Sequence, residues 1–152
     1  MTDLELTVKT PDQWDRYHLW TGVVGREYIT FQVAACQDAH LALSVVPLYP
    51  EMYSYQVIIG GWNNTKSAIR DAITYGTETK VEVSTPAILD CMEKRDFWVG
   101  WTDMTIQVGT GSEAFQSVFM QWKDEYFHEV DAVGFSTGHG ATGEWTLKTA
   151  DR

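Results

Sequence analysis

Ile29-Thr-Phe31-Gln-Val33-Ala-Ala35 carries its large apolar side chains on every second residue, and His40-Leu41-Ala-Leu43-Ser-Val45 repeats the pattern after a short break. In an extended chain successive side chains point to opposite faces, so each run reads as a strand with one face buried. Gln37-Asp38-Ala39 between them is the size of a hairpin turn, which predicts that the two strands pair with each other. Tyr55-Gln-Val57-Ile58-Ile59 reads as a third strand, closed by Gly60-Gly61. Further strands are expected over 80–84, 96–101, 104–108, 114–122, 130–135 and 144–148. Turn residues separate them at Gly76, Asp103, Gly109-Thr-Gly111, Asp124-Glu125 and Gly138-His-Gly140. Short strands punctuated in this way describe an all-β chain, an antiparallel β-sandwich of jelly-roll type with roughly nine to twelve strands. Helix is scarce. Pro86–Lys94 has room for two turns or for a loop crossing one end of the sheets. Helical spacing at Phe115, Val118, Phe119 and Trp122 competes with a strand there, and the β-forming residues favour the strand.

At 152 residues with 44% hydrophobic content, the chain supports one domain over 1–152 with its own core. The formal net charge is −10, from 11 basic and 21 acidic residues. Neutralising phosphates needs a basic footprint, so nucleic acid is excluded as a partner, as are anionic membrane surfaces. The longest apolar run, Leu41 to Leu48, is broken by Ser44 and Pro47 and is too short for a membrane span. Met1-Thr-Asp-Leu-Glu5 has acid where a signal peptide has base, so no leader is expected in this stretch, and a cytoplasmic protein, another export route and a start after a removed leader stay open. Cys36 and Cys91 fit neither a disulfide scaffold nor a zinc motif. The reading favours two buried free thiols, with a single bridge within or between chains as the alternative.

Several strings bear on chemistry. Ile106-Gln-Val108-Gly109-Thr-Gly111-Ser has the strand and Gly-x-Gly that open nucleotide and S-adenosylmethionine sites in α/β folds. It lacks the third glycine and any βαβ succession, so neither cofactor is expected. Gly134-Phe-Ser136-Thr-Gly138 matches a nucleophile elbow literally, but an all-β chain provides no helix to build one. The four histidines (His18, His40, His128, His139) show no metal-binding spacing. Gly60-Gly-Trp62-Asn63-Asn64-Thr65 combines an aromatic ring with two amides at a strand end. Sugars need this pairing, a flat apolar face for C–H groups and polar groups for hydroxyls. The competing reading is a tight turn with Trp62 packed inward. Phe135–Trp145 offers Ser136, Thr137, His139 and Glu144 among glycines, as a ligand rim or as a bare connection. Asp124, Glu125, Glu129 and Asp131 form an acidic stretch able to offer oxygens to Ca²⁺, without the regular Asp-x-Asp-x-Asp-Gly order.

Three ordered motifs carry a family resemblance over about Trp20 to Trp145. They are Phe31-Gln-Val-Ala-Ala-Cys-Gln-Asp38-Ala-His40-Leu-Ala-Leu-Ser44, Tyr55-Gln-Val-Ile-Ile-Gly-Gly-Trp62-Asn63-Asn-Thr-Lys-Ser67-Ala-Ile-Arg70, and Val108-Gly-Thr-Gly111 through Phe119-x-x-Trp122 to Val133–Trp145. Together they resemble the farnesoic acid O-methyltransferase-type domain. The family name implies methyl transfer. The occurrence of similar domains as modules of extracellular and invertebrate proteins implies recognition and a secreted or extracellular location. Arg70 is expected to pair with Asp38 or another carboxylate. The reading that joins these observations is a non-enzymatic lectin for a simple sugar or glycan end. Trp62 or Trp101 would stack on the ring, and Asp38, His40, Asn63, Asn64, Asp103, His139 or Glu144 would meet the hydroxyls. A Ca²⁺ ion gripping vicinal hydroxyls is consistent with the acidic charge. A homodimer or larger homo-oligomer would multiply weak sites, with a cysteine able to seal it. The alternatives are a protein-interaction module, which predicts an exposed apolar sheet face, and the methyltransferase itself.

Overall fold

In the computed structural model, which describes residues 4–45, 53–73 and 76–149, the period-two runs become strands of two packed sheets. In chain order the strands are β1 (Leu4–Thr10), β2 (His18–Trp20), β3 (Tyr28–Ala35), β4 (Ala39–Ser44), β5 (Ser54–Gly60), β6 (Lys66–Asp71), β7 (Glu78–Ser84), β8 (Arg95–Thr102), β9 (Thr105–Thr110), β10 (Val118–Lys123), β11 (Ala132–Thr137) and β12 (Gly143–Thr149). The first sheet has the order β1-β12-β3-β8-β9-β10 and the second β2-β11-β4-β5-β6-β7. Neighbouring strands pair antiparallel throughout. The expected antiparallel β-sandwich is therefore what the chain forms. The N-terminal residues 1–3 and residues 46–48 of the apolar run lie outside the described residues.

Both sheets bury their apolar faces in one core. Phe31, Phe97 and Trp145 from the first sheet meet Phe135 from the second, with Phe135 and Trp145 centroids 5.1 Å apart and Phe31 and Phe135 6.2 Å apart. Edge-on aromatic contacts of this kind contribute about 0.5–1.5 kcal/mol each beyond the area they bury. Leu41, Val57, Ile59 and Ile69 complete the layer from the second sheet.

Several expectations change in this frame. β3 and β4 do not form a hairpin: β3 pairs with β12 and β8, and β4 with β11 and β5. Their apolar faces oppose each other across the core instead of lying side by side. The turn between them carries the chain from one sheet to the other, with Asp38 at φ 53° and its N–H bonded to the Gly60 carbonyl at 2.8 Å. Cys36 and Cys91 are disulfide-bonded, not free. The crossover and the 86–94 loop are already neighbours, since the Ala35 N–H reaches the Asp90 carbonyl at 3.0 Å, and both cysteines lie at the surface. With no free cysteine, none is left to link two chains covalently. Pro86–Lys94 forms a loop. The strand expected over 114–122 starts only at Val118, because Phe115 and Ser117 adopt φ of 65° and 54° and the Phe115 ring turns back onto Trp98, 5.2 Å away. Gly109, the first glycine of the nucleotide-like string, sits in β9 beneath Trp98, where any side chain would overlap the indole. Strands β1, β2 and β6 were not anticipated. Leu4, Leu6 and Val8 do alternate in β1, but the polar β6 sequence Lys-Ser-Ala-Ile-Arg-Asp hides a strand whose middle is buried on both faces.

Residues 11–17 cross the outer face of the second sheet. The Gln13 N–H donates to the Thr137 carbonyl at 2.9 Å, and the Ser136 hydroxyl, buried in mid-strand, donates to the Trp14 carbonyl at 2.7 Å. Gly138 permits the crossing, because a Cβ there would stand 2.7 Å from that of Trp14.

Candidate functional site

Cross-strand register lays out the floor of a cavity on this outer face. One row runs Ser136, His40, Ile58, Ala68 and the next Gly134, Ala42, Gln56, Arg70. Side chains in both rows point away from the core, as alternation with Leu41, Leu43 and Val57 requires. The cavity has a volume of about 650 Å³, within the range of small-molecule sites. His40, Gln56, Ile58 and Arg70 form its floor. Gln37 and Asp38 come from the β3–β4 crossover, Trp62 and Asn63 from the turn after β5, Thr77 from just before β7, His139 from the loop after β11, and Trp14 from the crossing segment.

The turn after β5 is built to hold an aromatic outward. Trp62, Asn63 and Asn64 have φ of 49°, 61° and 60°, left-handed conformations that cost a non-glycine residue about 1–2 kcal/mol each, less for asparagine. Bonds on several sides hold them there. The Asn64 amide donates to the Leu89 carbonyl at 2.8 Å while its carbonyl oxygen accepts the Leu89 N–H at 3.0 Å. The Thr65 hydroxyl donates to the Trp62 carbonyl at 2.6 Å. Trp62 is left 43% exposed at the cavity wall, with the Arg70 guanidinium 5.6 Å and the Lys66 ammonium 5.9 Å from its ring centroid. Backbone strain that its surroundings over-determine is characteristic of ligand clamps. Arg70 does not make the expected ion pair with a carboxylate among the described residues; its Nε is buried without a hydrogen-bond partner.

Beside the start of this turn, Asp38 and His40 are nearly buried, and His40 Nε2 lies 3.1 Å from Asp38 Oδ1. The exposed His139, at φ 53°, brings its ring to 5.9 Å from that of His40. Two bonds fix its loop: the Gln37 amide donates to the His139 carbonyl at 2.9 Å, and the Gly140 N–H donates to an Asp12 carboxylate oxygen at 2.9 Å.

Five of the expected sugar-site residues thus converge: Asp38, His40, Trp62, Asn63 and His139. Asn64 braces the turn. Trp101 is in the core, 7% exposed, its indole N–H spent on the Arg26 carbonyl at 2.8 Å, so it offers no stacking face. Asp103 lies at the β8–β9 turn beside a separate cleft with Glu27 and Gln107, and Glu144 lies on β12, 3.8 Å from Lys94; both belong to the first sheet. In the acidic stretch, Asp124 is buried and both of its oxygens are engaged, by the Tyr55 hydroxyl at 2.7 Å and the Tyr126 N–H at 2.9 Å. Burial, reinforced by that carboxylate, pushes the Tyr55 hydroxyl well above the usual tyrosine range. Glu125 and Glu129 face solvent. Sequence reasoning missed Trp14, Gln37, Gln56, Ile58 and Thr77 as lining residues. Gln56 and Ile58 were within reach of it, since alternation along β5 sets both on the face opposite Tyr55 and Val57.

A family model described as farnesoic acid O-methyl transferase matches residues 10–151. A protein of Haliotis asinina named "Uncharacterized protein 5" is 27% identical over 127 residues, covering 79% of this chain and 69% of that one. Among solved structures, a Bacillus licheniformis beta-glucanase is similar with a TM-score of 0.55 and 7% identity, covering 99% of this chain and 79% of that one. The carbohydrate-binding module CBM66 from Bacillus subtilis is similar with a TM-score of 0.51 and 8% identity, covering 81% of this chain and 71% of that one. At such identities these likenesses bear on the sandwich fold alone.

Proposed function

The chain belongs to the farnesoic acid O-methyl transferase family, and we propose that it acts there as a non-enzymatic carbohydrate-binding protein, a lectin for a simple sugar or glycan end. The observation that carries this reading is the cavity of about 650 Å³ in which the exposed Trp62 and Trp14 stand beside Asp38, His40, Gln56, Asn63 and His139. Aromatic faces match the C–H side of a pyranose, and the carboxylate, imidazoles and amides match its hydroxyls. The sandwich fold shared with a carbohydrate-binding module supports the same reading. Binding is favoured over glycoside hydrolysis because Asp38 is the one carboxylate among the described lining residues, whereas glycosidases ordinarily use two. The Cys36–Cys91 disulfide supports action in an oxidising, extracellular setting. Self-association would multiply weak sites, and light scattering of the purified chain tests it.

A glycan array, probed in calcium and again with chelator, tests the proposal. The expected result is binding to one sugar class that falls at least tenfold in Trp62→Ala. Absence of binding in both buffers overturns it, and a thermal shift with S-adenosylmethionine in its place would favour the methyl transfer named by the family.

A further inference from the structure

We infer that Asp38, His40 and His139 form a binding site for one divalent transition-metal ion of the zinc class. The three side chains come from the β3–β4 crossover, β4 and the β11–β12 loop, yet their ligand atoms all lie within 4.8 Å of one another. The closest pair, His40 Nε2 and Asp38 Oδ1, is 3.1 Å apart. Zinc bonds to imidazole nitrogen and carboxylate oxygen at about 2.0–2.2 Å, and two such bonds spanning that separation meet at roughly 95°, an angle that fits an ordinary coordination shell. The ion would sit between these two atoms, bound by an Nε2 that carries no proton, the imidazole keeping its proton on Nδ1. His139 completes the set by rotation of its exposed ring, while its backbone stays fixed by the Gln37 amide at 2.9 Å.

The donor set decides the class of ion. Two imidazoles and one carboxylate suit zinc and its neighbours, whereas calcium takes six to eight oxygens, and the cavity floor supplies few. The acidic stretch that could offer oxygens to calcium has its buried member, Asp124, already engaged. Both cysteines are in the disulfide, so no thiolate competes for the metal. Three protein ligands facing an open cavity leave at least one coordination position for a small molecule with paired oxygens. The site itself is inferred from the cluster alone and does not depend on the sugar reading.

Titration calorimetry of the whole chain with Zn²⁺ should give one saturable site. Affinity should fall at least tenfold in His139→Ala and stay unchanged in His128→Ala, whose histidine is exposed and outside the cluster. Co²⁺ added to the unaltered chain should develop visible absorption of a nitrogen- and oxygen-ligated ion, a readout that needs no variant. No saturable binding, equal affinity in the two variants, or displacement of Zn²⁺ by millimolar Ca²⁺ would overturn the inference. Glycan binding that survives chelation leaves this result unaffected, so the two proposals fail separately.

Discussion

Asn64 holds the cavity's aromatic wall in place, since its amide satisfies both backbone groups of Leu89 and fixes a left-handed turn. Asn64→Ala should lose about 2–3 kcal/mol in urea denaturation, because two partly buried backbone groups lose partners and alanine tolerates the conformation less well. At Trp62 the same conformational argument separates two truncations. Trp62→Gly should be more stable than Trp62→Ala by about 1 kcal/mol, since only glycine adopts φ near +50° freely, while both lose sugar binding. Equal stabilities would contradict the strain. Trp62 and Asn63 were legible in the sequence because a Gly-Gly pair after an apolar run announces a strand end, and residues there face solvent. Arg70 was singled out by its motif but assigned the wrong neighbour. Its place beside Trp62 depends on β6, whose polar composition gives no periodic signal.

Strands of the second sheet are tied to the loop after β10 through Tyr55, whose hydroxyl donates to Asp124 and accepts the His128 N–H at 2.9 Å. Tyr55→Phe keeps the ring stack on Phe127, 5.3 Å between centroids, but should cost about 1–3 kcal/mol by leaving the buried carboxylate short of a partner. The pH dependence has a definite sign. Burial raises the folded-state pKa of Tyr55 above the unfolded value near 10, so its contribution is complete below about pH 10 and is lost as pH climbs toward the folded value. Thermal melts above about pH 10 should therefore fall more steeply for the native chain than for Tyr55→Phe. At this scale the sequence revealed which residues extend, through alternation at Phe31, Val33, Leu41 and Leu43. It did not reveal which strands pair, because a three-residue link serves equally as a hairpin and as a passage between sheets.

For the whole molecule, the sandwich was readable because so many short alternating runs can be buried only in two facing layers. The disulfide was not, since two cysteines 55 residues apart carry no sign of being neighbours until the topology joins the crossover to the 86–94 loop. Closing a loop of that length should make the bridge worth about 2–4 kcal/mol, so reduction, or Cys36→Ser with Cys91→Ser, should lower the melting temperature. Sedimentation should give the same mass with and without reductant, because the bridge lies within one chain. One last consequence concerns attachment. Leu4 and Thr149 are cross-strand partners, so the described ends meet at a single point of the first sheet. That point lies ~20 Å along β1 from Thr10, where the segment leading to the cavity departs. A tether at either described end would therefore take hold of the fold at the same place, at the far end of β1 from the cavity segment.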